Sequence, residues 1–189
     1  ATAILAGDAL QSLAFEVLVR ESDSPISPEI LVKMVRLLAT ATGIMGMAGG
    51  QALDIAATGR MMDEARMKSM HLLKTGALIK ASVMLGYYTS QSNNLVVQSA
   101  LENYAHCIGL AFQVQDDILD VEGDTATIGK PQGSDDNSNK ATYPKVLGLI
   151  GAKEKAHELV TSAISSLEEL NSKAEPLKVI AEYIVQRKK

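Results

Sequence analysis

The chain has 189 residues, 47% of them apolar and 21% charged, with a formal net charge of −4. That length suits one domain, and the acidic balance excludes a surface built for nucleic acid, which needs a basic excess. One cysteine, Cys107, excludes a disulfide framework and a thiolate metal cage and fits a reducing, cytoplasmic setting.

Apolar residues recur with the 3.6 period of a helix almost throughout, alternation of period two is nearly absent, and aromatic residues are 4% of the chain. The predicted class is therefore all-α, as a single helical domain over 1–189. Predicted helices cover 1–21, 28–57, 62–89, 93–121, 141–150, 151–171 and 174–187. The opening run from Ala1 to Leu10 has no starting Met and no basic segment, so it does not read as a signal peptide. Apolar stretches are broken by charge short of the ~20 residues that cross a bilayer, so neither a membrane span nor a membrane partner is expected. Ser27 before Pro28 fits a helix N-cap with proline in the first turn, and Thr58-Gly59 fits a helix end. Ser92 or Asn93 is expected to cap the fourth helix.

In the helix over 28–57, Gly43, Gly46, Met47, Gly50, Gln51 and Asp54 share a face. Small residues there admit a second helix or a ligand against the backbone. Gln51 and Asp54 are a polar pair on that face and need a partner. The helix over 62–89 carries His71, Lys74, Thr75 and Leu78 along one side. Lys74 sits among Leu72, Leu73, Leu78 and Ile79, so it either snorkels to solvent or supplies charge to an anion. His71, His106 and His157 are isolated in sequence and are read as structural or surface residues, and Cys107 as a small core residue.

The helix over 93–121 holds the most informative run. Gln113, Asp116, Asp117 and Asp120 fall within an arc of about 100° on an otherwise apolar helix. Like charges at this spacing repel by roughly 0.2–0.5 kcal/mol per pair even when exposed, and a divalent ion reverses that sign. Oxygen ligands without His or Cys at metal spacing suit Mg2+, which shares substrate phosphates; a solvated acidic helix end is the alternative. The polar stretch 122–140 follows at once, a length unusual in a compact domain unless it is a lid or binding element. Lys130 and Lys140 bracket its second half, and taken alone they are ordinary exposed lysines. No nucleophile motif, nucleotide-binding glycine loop or helical His-Glu-x-x-His pattern is present.

Several elements together resemble the trans-type polyprenyl diphosphate synthases: the run Phe112 to Asp120, which is similar to that family's second aspartate-rich motif; Lys74-Thr75-Gly76; Gly50-Gln51 with Asp54; and Gly129-Lys130 ahead of Asp135 and Lys140. The match runs over 1–189 and corresponds to the C-terminal two-thirds of such enzymes, those forming farnesyl diphosphate above all. It implies an isoprenoid-synthase helical bundle, a homodimer, and condensation of an allylic diphosphate, geranyl or dimethylallyl, with isopentenyl diphosphate. Asp116, Asp117 and Asp120 would hold Mg2+ on the departing diphosphate, with Lys74, Lys130 and Lys140 adding charge and Gln51, Asp54 and Asp135 in support. Thr75, Gln113 and the backbone near Lys74 would turn oxygen dipoles toward the allylic cation. The polar loop and the basic tail from Gln186 to Lys189 would help to close the site.

One departure is large. The family's first aspartate-rich motif, with its arginine pair, is not in this sequence, and Asp135-Asp136 is not followed by arginines. The 189 residues alone are therefore expected to be inactive. The alternatives are a non-catalytic synthase-like partner subunit and a synthase of longer products.

Overall fold

A computed structural model describes residues 1–20, 26–60, 62–122 and 141–187, apart from the side chain at 171. Among them there is no strand. The elements are α1 (Thr2–Val19), α2 (Pro28–Thr42), α3 (Met47–Ala57), α4 (Glu64–His71), a π turn (Leu72–Gly76), α5 (Ala77–Thr89), α6 (Leu95–Glu122), α7 (Tyr143–Ser166), a 3₁₀ segment (Glu168–Ala174) and α8 (Glu175–Gln186).

Local chemistry sets most of these limits. The Ser27 side chain accepts from Ile30 N at 3.4 Å, with Pro28 in the first turn of α2. Asp63 does the same for α4, accepting from Arg66 N at 2.8 Å. The cap of α6 is Asn94, one residue beyond the expected pair. Its Oδ1 accepts from Val96 N at 3.0 Å and Val97 N at 3.2 Å, while Ser92 accepts from Asn94 N.

Two expected spans divide, and two others run together. The helix over 28–57 breaks at Gly43, where the backbone turns extended, and restarts after Gly46. The helix over 62–89 is interrupted by the π turn. The break expected after residue 150 is instead a kink at Gly148, whose φ of 73° is open to glycine with little strain.

The 28-residue α6, about 42 Å long at 1.5 Å per residue, is the spine of the bundle. It packs chiefly on α7 and on α5. Tyr104, Leu110 and Val114 of α6 are fully buried together with Met67, Met84 and Tyr143. Each such apolar side chain contributes about 1.5–3 kcal/mol relative to exposure. Tyr104 also donates from its hydroxyl to Leu177 O at 2.7 Å, tying α6 to α8. Cys107 is packed against this core, and burial pushes its thiol up.

The expectation about apolar stretches needs correcting. Thr2–Val19 and the span Pro28–Ala57 are both long and apolar enough to cross a membrane. The second places Met34, Leu38 and Ala41 in the core, with 22% of its apolar window buried. The first carries only Asp8 and Glu16 as charges among its acidic and basic residues and buries none of its side chains.

Candidate active site

Three elements meet around the π turn. A side-chain carbon added at Gly50 would run into Lys74 N and lie 2.5 Å from Lys74 Cα; one at Gly109 would lie 2.9 Å from Gly76 Cα. The backbone of the turn is thus pressed between α3 and α6. These contacts account for Gly50 and Gly109 without a ligand. A π turn inserts one residue into the helical ladder, and such insertions recur at functional sites.

Lys74 and Thr75 lie within the turn. Lys74 Nζ is 2.6 Å from Asp54 Oδ2, with the Asp54 side chain 10% exposed and that of Lys74 29%. This pair answers the question raised by Asp54 on its close-packed face. Gln51, one turn before it, is half-buried. Thr75 Oγ1 donates to Gln113 Oε1 at 3.2 Å, and Gln113 Nε2 donates to Asp117 Oδ1 at 3.2 Å. Asp117 Oδ2 accepts from Tyr143 N at 2.9 Å. The ring of His71 stacks on Tyr143 with centroids 5.8 Å apart and sets its Nε2 4.0 Å from the same Oδ2.

The aspartates of the stripe differ in setting. Asp117 and Asp120 are buried, whereas the Asp116 side chain is 40% exposed. Asp116 Oδ1 accepts from Arg187 Nη2, which also donates to Phe112 O at 3.1 Å; the guanidinium carbon lies 4.2 Å from the centroid of the Phe112 ring. Among the described residues, no three of His, Cys, Asp and Glu converge as a group that could hold a metal. Lys130, Lys140 and Asp135 lie outside the described residues.

The structure therefore brings together Asp54, Lys74, Thr75, Gln113, Asp116 and Asp117, and adds His71, Tyr143 and Arg187. The basic tail was expected near the site, but its partners were not. His71 lay on the predicted side of Lys74 and Thr75. For Tyr143 the one signal is its place in Ala141-Thr142-Tyr143-Pro144, where the chain leaves the polar stretch and a helix begins.

A family model, polyprenyl synthetase, matches residues 1–183. The chain belongs to the polyprenyl synthetase family. Farnesyl diphosphate synthase of Escherichia coli (strain K12) is 48% identical, over all of this chain and 64% of its own length. Among solved polyprenyl synthetases, an FPP/GFPP synthase from Zymomonas mobilis has a TM-score of 0.83 and 39% identity, covering 97% of this chain and 60% of that one. A geranyltransferase from Helicobacter pylori, complexed with magnesium and isoprenyl diphosphate, has a TM-score of 0.80 and 32% identity, covering 98% and 59%. The all-α class expected from periodicity, and the helical bundle that the resemblance implied, are those of the polyprenyl synthetase fold. The chain spans less than two-thirds of the length of these relatives.

Proposed function

We propose that this chain is the diphosphate-binding wall of a magnesium-dependent prenyltransferase that joins an allylic diphosphate, geranyl or dimethylallyl, to isopentenyl diphosphate, giving farnesyl diphosphate. The observation that carries the reading is the π turn, which sets Lys74 and Thr75 against Gln113 on the helix that carries Asp116. The similarity to the Escherichia coli synthase supports it.

Magnesium is assigned to Asp116 because its carboxylate is the exposed one of the stripe and offers only oxygen; one carboxylate is a partial donor set, and Arg187, which pairs with it, would have to yield. Asp116 would hold the ion, with Asp117 and Asp120 behind it as the rest of the stripe. Bound there, magnesium supplies positive charge to a departing diphosphate. Lys74, held by Asp54, supplies a fixed charge to the same group, and Lys130 and Lys140 are proposed to add to it. As the allylic C–O bond breaks, its electron pair leaves with the diphosphate. Thr75 and Gln113 turn oxygens toward the allylic cation, which the double bond of isopentenyl diphosphate then attacks. Free diphosphate takes the proton lost on coupling, so no side-chain base is required. Gln51 and Asp135 are assigned supporting roles. A cytoplasmic homodimer is proposed with this activity, since the apolar surface of α1 offers a second copy something to bury and Cys107 has no disulfide partner.

The test is incorporation of radiolabelled isopentenyl diphosphate with geranyl diphosphate. The 189 residues alone are expected to give no turnover, because the first aspartate-rich motif is not in them. Grafted in place of the matching segment of the Escherichia coli synthase, they are expected to restore farnesyl diphosphate formation, and Asp116→Ala in the graft to abolish it. A folded graft without product, or one indifferent to Asp116→Ala, overturns the reading.

A further inference from the structure

Asp117 sits next to Asp116 in sequence and was expected to share its metal, but its surroundings differ. Its side chain is 4% exposed. Each carboxylate oxygen already accepts from an N–H: Oδ1 from the Gln113 amide at 3.2 Å, and Oδ2 from the backbone of Tyr143 at 2.9 Å. An ionised carboxylate only accepts, so whatever meets it must donate. Gln113 is therefore obliged to turn its NH2 toward Asp117, and its oxygen is left facing the Thr75 hydroxyl. The second oxygen holds Tyr143, the first residue of α7. The adjacent His71 and Tyr143 rings pack this carboxylate rather than open it to solvent.

We propose that Asp117 is a positioning residue, which fixes the amide of Gln113 toward the π turn and pins the start of α7, and that it leaves the metal to Asp116. The statement about the metal rests on the proposed function; the statement about Gln113 and Tyr143 does not.

Two measurements on the 189-residue chain test it. The first is Mn2+ binding followed by electron paramagnetic resonance. Asp116→Asn and Asp117→Asn remove the same charge, the first with the loss of the Arg187 pair and the second with an NH2 placed against an N–H donor, so far-ultraviolet circular dichroism of both variants accompanies the titration to show that each is folded. Asp116→Asn is expected to weaken binding by at least about tenfold and Asp117→Asn by no more than about threefold, the loss due to one screened neighbouring charge. Equal losses overturn the proposal. The second is hydrogen exchange at the Tyr143 amide. Asp117→Ala is expected to speed exchange there by about tenfold or more through loss of a charge-assisted bond. Asp117→Asn, whose oxygen still accepts, is expected to restore the protection. Unchanged exchange in Asp117→Ala overturns the proposal. If Asp117→Ala does not fold, Asp117→Ser, whose shorter side chain does not reach Tyr143 N, takes its place, and unchanged exchange there overturns the pinning. If the unaltered chain binds no Mn2+, the magnesium assignment of Asp116 fails, while Tyr143 exchange still decides the role of Asp117.

Discussion

Arg187 and Asp116, 71 residues apart in sequence, meet through a 2.5 Å contact between guanidinium and carboxylate. The arginine side chain is 9% exposed and is further held by Phe112, through its carbonyl and its ring. A guanidinium so placed competes with any metal for Asp116. Arg187→Met is expected to raise the Mn2+ affinity of the 189-residue chain by about tenfold, the equivalent of one charge-assisted hydrogen bond of about 1.4 kcal/mol. Affinity that stays level or falls in this variant would show that Arg187 does not compete.

Gly50 has a second consequence for the same site. With Lys74 N in the path of any side-chain carbon there, Gly50→Ala must push the π turn away from α3. The expected loss of stability is about 1–3 kcal/mol, read from urea denaturation. Gly109→Ala, with 2.9 Å to Gly76 Cα, is expected to lose less. The opposite order, or no loss at Gly50, would mean that the three backbones do not meet as described.

Lys74→Met removes the cation beside a nearly buried Asp54. About 1–3 kcal/mol of stability is expected to go with it, since a buried carboxylate loses a charged donor. Combining it with Asp54→Asn should recover part of that loss, giving a coupling of at least about 0.5 kcal/mol in a double-mutant cycle. Inorganic diphosphate binding by calorimetry should fall in both variants. Strictly additive stabilities would remove the pair from the account of the fold.

Tyr104 gives the fold an alkaline limit. Burial pushes its hydroxyl up from 10.0 to about 12. Above pH 10 the unfolded chain gives up this proton while the folded chain keeps it, so the unfolded state binds fewer protons and stability falls as pH rises. The contribution is complete below pH 10 and is lost between pH 10 and 12. Denaturation midpoints across that window are expected to fall less steeply in Tyr104→Phe, which otherwise loses about 1 kcal/mol with the bond to Leu177 O. Equal slopes in both proteins would refute the assignment to Tyr104.

What the sequence revealed depended on how local the cause was. Ser27 with Pro28 and the stripe from Gln113 to Asp120 are legible because caps and helix faces are set within a few residues. The interruption at Leu72–Gly76 is not, since a single inserted residue barely disturbs the apolar period. The break between Gly43 and Gly46 escaped for a related reason: periodicity continues across it, and only the backbone shows the turn. Asp117 with Tyr143 N and Asp116 with Arg187 join residues 26 and 71 apart, and such pairings follow from tertiary packing alone. The stripe therefore read as one set of equivalent acids, whereas the fold gives Asp116 and Asp117 different neighbours and different access to water.

The bare surface of α1 bears on how the chain behaves in the test tube. Ile4, Leu5, Leu10, Leu13, Val17 and Val19 are each at least 43% exposed. Apolar patches of this kind seek cover. Purified by itself, the chain will elute early from a sizing column and scatter light, and mild detergent will disperse it.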